Sequence, residues 1–396
     1  MWYGELPEHW ELRSVKSLFH IKKEIAGREG FDVLSITQRG IKVKDVSLNE
    51  GQMAQNYAKY QFVNIGDFAM NHMDLLTGWV DCSNYFGVTS PDYRVFTLHD
   101  EMQSKSYLLK LLQLCYTQRV FYALGRGAAS EGRWRLPRKE FMNFLLPIPP
   151  REKQDQIVRY LDWKVSQINK LIHTKQRQVE YVKEKIDVLT NKAIIESRNR
   201  LRLKVSVDVI RKWINRNSTT LYRPIGVLNR GRGIFNKDEL SGSDLGNSDF
   251  FSIEPNFLIF SGQFAWEGAV ALTTNAENGC IASHRYYTVR GKEDICETNY
   301  LWALFQSSFG DMILNHCSRG AAGRNKPLNF NMLMNEYIPL PSTEMQKLIS
   351  YNVKLLMQLR KETDIFKRLL AEYRIRLISD IVTGKANVNS SDFARS

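Results

Sequence analysis

From Val165 onward, apolar residues recur three and four positions apart: Val165, Ile168, Ile172, Val179, Val182, Ile186, Leu189 and Ala193, with Lys175 the one interruption. A period near 3.5 residues belongs to a helix packed along its length against another helix. The pattern returns at an offset of 191 in Leu356, Leu359, Phe366, Leu370, Tyr373 and Leu377, with Thr363 standing where Ile172 stood. A lone helix would leave such a seam in water, so two helices of about forty residues are predicted to pair within the chain. Parallel and antiparallel pairing both fit the spacing, and antiparallel is the working expectation. Homodimerisation through the same seam is the alternative.

Between and before these helices the pattern changes to short alternating runs broken by turn residues. They predict strands at 31–37, 61–65 and 92–98, and again at 223–228, 256–260 and 285–290. Each set is followed by apolar residues at helical spacing, over 107–124 and 300–315. Strands followed by a packed helix imply an α+β domain. The fold class is therefore α+β: two pseudo-repeated globular domains separated by two long, paired, coiled-coil-like helices. The predicted boundaries are 1–149 for the first domain, 150–198 for the first long helix, 199–341 for the second domain, 342–385 for the second long helix and 386–396 for a tail.

The two halves also match residue by residue. Tyr107-Leu108-x-x-Leu111-x-Gln113 and Arg126-Gly127-Ala128-Ala129 reappear without a gap as Tyr300-Leu301-x-x-Leu304-x-Gln306 and Arg319-Gly320-Ala321-Ala322. Val88-Thr89-Ser90-x-x-Tyr93 faces Ile281-Ala282-Ser283-x-x-Tyr286, and Gly66-x-Phe68-Ala69 faces Gly262-x-Phe264-Ala265. Pro147-x-Pro149-x-x-Glu152-x-Gln154 faces Pro339-x-Pro341-x-x-Glu344-x-Gln346. Collinear matches at drifting offsets describe a duplicated domain, since solenoid periods are far shorter. The prolines mark the helix entries, and Thr343-x-x-Gln346 is expected to form a capping box. Thr383-Gly384-Lys385 suits a left-handed C-cap for the second helix. The first helix lacks such a glycine, and the basic stretch Arg198, Arg200, Arg202 and Lys204 after it is read as an interdomain linker.

Composition refines this little. At 396 residues, 43% hydrophobic and 24% charged, the chain has the size and make-up of a multi-domain globular protein. No apolar run reaches the length of a signal peptide or a membrane span, so a soluble cytoplasmic protein is expected. Five cysteines without C-x-x-C spacing indicate neither a disulfide framework nor a zinc site. The net charge of +13 divides as +2 over 1–150, +5 over 151–200, +2 over 201–341 and +4 over 342–396. The helical segments carry most of the excess, and a polyanionic partner fits it.

No catalytic constellation is visible. The phosphate-binding loop, dinucleotide fingerprint, H-E-x-x-H and G-x-S-x-G patterns are all missing, and the seven histidines are scattered. A duplicated active site would repeat its acid, base or nucleophile. Glycine, aromatic and packing residues repeat instead, and Glu152 and Glu344 are explained by their place in a helical first turn. Catalytic, cofactor-binding and metal-binding residues are therefore expected to be absent.

Two mixed domains, each leading through P-x-P-x-x-E-x-Q into a long heptad helix, with Thr383-Gly384-Lys385 at the end, resemble the specificity subunit of type I restriction-modification systems. Leu6-Pro7-x-x-Trp10 and Gln38-Arg39-Gly40-Ile41 are similar to that family's opening, while the second copy has Leu201–Ile210 where the first has this opening. The resemblance spans almost the whole chain. It implies a non-catalytic subunit that reads a bipartite target in double-stranded DNA, one half-site per target recognition domain, with the helices as spacers. It further implies two DNA methyltransferase subunits using S-adenosylmethionine and two restriction subunits of helicase-nuclease type using ATP and magnesium, and no membrane. A helix of about 37 residues rises roughly 55 Å, enough to separate two readers by more than one duplex turn. A coiled-coil scaffold that binds protein only is the competing reading.

Base edges are read by Arg, Lys, Asn and Gln, while other basic groups hold phosphates. Around the repeated loop the candidates are Arg126, Arg133 and Arg135, and Arg319, Arg324, Asn325 and Lys326. In turns that differ between copies they are Lys42, Lys44, Asn71 and His72, and Arg230, Arg232, Lys237 and Trp266. For the loop itself, close approach of backbone to DNA and a helix-capping role with an unusual angle at Gly127 and Gly320 are equally weighted.

Overall fold

The structure is a computed structural model that describes residues 2–45, 56–127, 134–320 and 326–389. Its chain forms two compact units, one of residues 1–172 with 366–396 and one of residues 173–365. Each unit contains one α+β domain and part of both long helices, Arg151–Glu196 and Thr343–Val382.

In the first unit a four-stranded antiparallel sheet runs in the order Phe19–Lys22, Arg94–Leu98, Phe68–Met70, Val80–Cys82. In the second the order is Val207–Val209, Tyr286–Gly291, Leu258–Ser261, Val270–Leu272, again antiparallel throughout. Phe68–Met70 and Leu258–Ser261 are fully buried, as central strands of a covered sheet must be. The predicted strands near 34–37, 61–63, 94–98, 225–228, 258–260 and 286–290 all form.

Each predicted packing helix is broken in two. Lys105–Thr117 stops before Arg119, which takes a left-handed conformation at φ 56°, and Val120–Ala123 follows. Thr298–Gln306 stops at extended Ser307, whose hydroxyl caps the next helix, Ser308–His316, by accepting from the Gly310 N–H. Polar capping of this kind competes with helix continuation.

The register corrects one of the repeat matches. Met70 pairs with Val80 and Phe260 with Val270, and the carbonyls of Val80 and Val270 both accept from repeated glutamines, Gln113 and Gln306. Met70 and Phe260 are therefore equivalent, at an offset of 190, and Gly66 corresponds to Asn256. Both have positive φ, 88° and 63°, in the turn that enters the central strand. The Gly66-x-Phe68-Ala69 match to Gly262 was a coincidence of residue types; the backbone angle is what repeats.

The basic stretch after the first long helix also differs from expectation. Arg200–Arg202 is a strand paired with Tyr337–Pro339, as Glu11–Ser14 pairs with Leu145–Ile148 in the first unit. It opens the second domain and is not a linker. Its alternating side chains place Leu201 inward while Arg200 and Arg202 lie against the rings of Phe309 and Tyr337.

Within each unit the long helices pack antiparallel. In the first, Ile157 and Leu161 near the start of one helix share a core with Ile381 and Val382 at the end of the other. In the second, Val182, Ile186 and Ala193 share a core with Ile349, Val353 and Leu356. Ile168, Val182, Ile186, Ala193 and Leu356 are buried, and Val165, Ile172, Val179, Leu189, Leu359, Phe366, Leu370 and Leu377 are half-buried. Tyr373 departs from the expected seam, being 43% exposed. Thr363 is buried instead.

The repeated residues fasten these parts together. Gln154 accepts from the Ser104 N–H at 2.8 Å and donates to the Pro149 carbonyl at 2.9 Å; Gln346 accepts from the Glu297 N–H at 2.9 Å and donates to the Pro341 carbonyl at 3.1 Å. Gln346 is thus no part of a capping box, and Ser342, not Thr343, caps the helix by accepting from the Met345 N–H. Tyr107 and Tyr300 donate to the Pro147 and Pro339 carbonyls at 2.9 and 2.7 Å. Beyond Val382, Gly384 has φ 77°, and a Cβ there would meet Pro7 at 2.7 Å. The Leu6-Pro7-x-x-Trp10 opening is therefore fitted to the Thr383-Gly384-Lys385 end.

Candidate nucleic-acid interface

In the first unit the chain leaves the buried strand Phe68–Met70 at Asn71 and His72, and a two-stranded hairpin, Arg126–Gly127 against Trp134–Arg135, lies over that exit. The Leu136 N–H donates to the His72 carbonyl at 2.9 Å, and Leu75 N–H to the Trp134 carbonyl at 3.1 Å. Hairpin and exit turn are thus one structure, bringing His72 and Arg135 to the wall of a cavity of about 300 Å³. Arg126 faces Arg135 across the hairpin and forms an ion pair with Glu140 at 3.0 Å. Asn71 is occupied structurally: its carbonyl accepts from the Tyr116 hydroxyl and its side-chain oxygen from the Met73 N–H.

Lys42 and Lys44 lie elsewhere, on and just after the hairpin Leu34–Thr37 with Gly40–Val43, and do not line that cavity. Arg133, Arg324 and Asn325 lie outside the described residues, with Ala128, Ala129, Ala321 and Ala322. Positive φ does not fall on Gly127 or Gly320, so the unusual-angle reading of these glycines is not met.

Two further side chains complete the wall, and charge patterning did not single them out. Arg94 is 6% exposed, with its guanidinium 4.8 Å from the Phe141 ring and one hydrogen bond to the Leu136 carbonyl at 3.1 Å. Its second terminal nitrogen, Nη1, is buried without a partner among the described residues. Burial pulls the Arg94 pKa down to about 10. Arg138 is exposed on the same wall. Burial, with Arg94 beside it, holds the His72 pKa down to about 3, so this imidazole is neutral at physiological pH. The signal in sequence was a basic residue at an inward-facing strand position, which is unusual enough to mark a site.

In the second unit Arg230 and Arg232 occupy the turn of the hairpin Ile225–Leu228 with Gly233–Asn236. Arg230 is left-handed at φ 57°, and its N–H donates to the Glu267 carbonyl, tying this turn to the short helical turn Ala265–Glu267 that carries Trp266. Lys326 sits 4.8 Å over the Trp266 ring. Arg230 and Trp266 line a cavity of about 900 Å³ together with Lys183, Asp187 and Arg360 of the long helices. Lys237 lies at the opposite end of its hairpin, and Arg319 is exposed after the bridge from Ser318 to Leu328.

At the place of Arg94 and Arg138 the second unit has rings. Tyr287, paired with Phe260 as Arg94 is with Met70, stacks on Phe330 at 4.2 Å, and Arg211 lies 4.4 Å over Tyr287. The frames agree while these walls differ in charge and shape. All five cysteines are free thiols, and the described residues hold no group of His, Cys, Asp and Glu able to bind a metal ion.

Known proteins share this fold. A family model, the type I restriction modification DNA specificity domain, matches residues 189–372. The putative type I restriction enzyme MjaX specificity subunit of Methanocaldococcus jannaschii is 20% identical over 98% of this chain and 96% of its own length. The HsdS subunit from Thermoanaerobacter tengcongensis has a TM-score of 0.52 at 14% identity, covering 98% of this chain and 100% of that one. A solved chain concerned with complex assembly and conformational transition of the type I R-M system has a TM-score of 0.63 at 12% identity, covering 96% and 100%. With the specificity domain matched over residues 189–372, a relative aligned nearly end to end and the fold shared, this chain is similar to the specificity subunits of type I restriction-modification systems.

Proposed function

We propose that each α+β domain reads one half-site of a bipartite DNA target, and that the chain leaves the chemistry to partner subunits. One observation carries this: two domains with the same strand order and the same glutamine and tyrosine fastenings present unlike walls at equivalent positions, Arg94 with Arg138 in one and Tyr287 with Phe330 in the other. A duplicated scaffold with divergent surfaces suits recognition of two different sequences. A scaffold that binds only protein has no use for that divergence.

The partners are two DNA methyltransferase subunits, using S-adenosylmethionine to methylate adenine, and two helicase-nuclease restriction subunits, using ATP and magnesium. The first long helix supports docking of this kind. Tyr181, Val188 and Ile195 recur every seven residues and are 68%, 67% and 83% exposed, a second apolar stripe outside the seam that faces the other helix. No helix among the described residues is long and apolar enough to cross a membrane.

Co-expression with an adenine methyltransferase subunit, followed by affinity purification and methylome sequencing, tests the reading. A stable complex that methylates a split motif is expected. A complex that methylates nothing, or methylates without sequence preference, removes it.

A further inference from the structure

The cavity beside Arg94 is built for an anion that the described residues do not supply. Burying a guanidinium costs several kcal/mol unless an opposite charge accompanies it. Arg94 has no carboxylate partner among the described residues, and its immediate neighbours are the Phe141 ring, the Leu136 carbonyl and neutral His72. The rim adds Lys23, Arg135 and Arg138, all exposed. Lys22 also lines the cavity but is engaged by Asp67 at 3.3 Å and Glu24 at 3.5 Å. Asp92, exposed, is the one carboxylate on the wall among the described residues. Among the described residues the local balance is therefore positive even with Arg135 left out, with the Arg94 guanidinium fixed behind Lys23 and Arg138.

We propose that this cavity seats one backbone phosphate of the DNA half-site read by the first unit, with Arg138 and Lys23 at its rim and Arg94 supplying fixed charge from behind. A phosphodiester carries the single delocalised charge that such a cluster matches. A neutral base edge would bring no charge to offset the buried guanidinium. The second unit lacks this seat, because Tyr287 and Phe330 fill the equivalent place and Arg211 is stacked on Tyr287 with a hydrogen bond to the Tyr286 carbonyl at 2.8 Å. The first domain would accordingly clamp its half-site by a recessed charge at a point where the second presents stacked rings beneath Arg211. The proposal rests on the DNA-reading function above.

The test uses the full chain with its methyltransferase partner and the duplex defined by its methylome. Affinity is measured against salt for the wild type, Arg138→Gln and Lys23→Gln, two exposed positions outside the core. Loss of one phosphate contact lowers the salt slope by about 1 and weakens cognate and unrelated duplexes alike. Duplexes carrying one neutral methylphosphonate linkage are then scanned through both half-sites. Among the linkages that weaken the wild type, one, in the half-site of the first unit, should have no further effect on Arg138→Gln. Arg94→Met, which keeps bulk over Phe141, should show the same loss of slope. Unchanged slope and affinity in the rim variants, with specific binding by the wild type, would overturn the phosphate seat and leave the recognition function standing. An altered base preference at constant slope would overturn it in favour of base reading. Absence of specific binding by the wild-type complex would remove both.

Discussion

The side chain of Gln346 accepts a hydrogen bond from the Glu297 backbone N–H at 2.9 Å, joining the entry of the second long helix to the start of the helix that covers the sheet. Gln154 makes the same joint with Ser104 in the other unit. Each glutamine also holds the carbonyl of the second proline in its motif, which explains why P-x-P-x-x-E-x-Q repeats without any catalytic duty. Gln154→Leu and Gln346→Leu each strand a buried N–H and a carbonyl, so each is expected to lose about 1–3 kcal/mol per stranded group. Denaturant unfolding of the two variants checks this, and the two losses should be alike.

The tyrosines that precede these joints are unequal. The Tyr107 hydroxyl shares its one proton between two carbonyls, Pro147 at 2.9 Å and Val382 at 3.0 Å, so that removing it strands both, whereas Tyr300 donates to Pro339 alone at 2.7 Å among the described residues. Tyr107→Phe should therefore destabilise by more than Tyr300→Phe, with about 1 kcal/mol expected for the latter. Thermal melts that ranked them the other way would contradict the assignment.

The seam between the long helices gives a sharper contrast. Ile186 and Leu356 are 3% and 0% exposed and belong to one core cluster. Truncating either to alanine should cost about 2–5 kcal/mol. Tyr373→Ala, at the position that left the seam, should stay within about 0.5 kcal/mol.

Acid should weaken the first unit through His72. His72, neutral in the folded chain down to about pH 3, takes up a proton near its ordinary value of 6.5 once unfolded. Between those values the unfolded state binds more protons, so folding stability falls as pH drops, by at most about 1.4 kcal/mol per pH unit. His72→Gln should flatten the stability profile across that window when unfolding is followed from pH 7 to pH 4.

Much of this arrangement was legible in the chain because it rests on local rules. The heptad seam, the strand runs at 61–63, 94–98 and 225–228, and the proline-marked helix entries follow from side-chain periodicity and backbone restriction. What escaped was non-local. That Arg200–Arg202 is a strand depends on its partner Tyr337–Pro339, far along the chain. Gly66 corresponds to Asn256 through backbone angle and pairing register, and residue identity pointed to Gly262 instead. Arg94 reads as one charge within an ordinary strand until its burial, with Nη1 unpartnered among the described residues, sets it apart. The candidate interface divided on the same line: His72 with Arg135, and Arg230 with Trp266, come together, while Lys42, Lys44 and Lys237 stand apart.

The central claim is that each unit reads its own half of a split target. Methylome sequencing of cells carrying the methyltransferase subunit and a chain in which residues 199–341 are replaced by the corresponding domain of another specificity subunit tests it most directly. One half of the methylated motif should change and the other should remain as in the wild type. A motif altered in both halves, or in neither, would contradict the account.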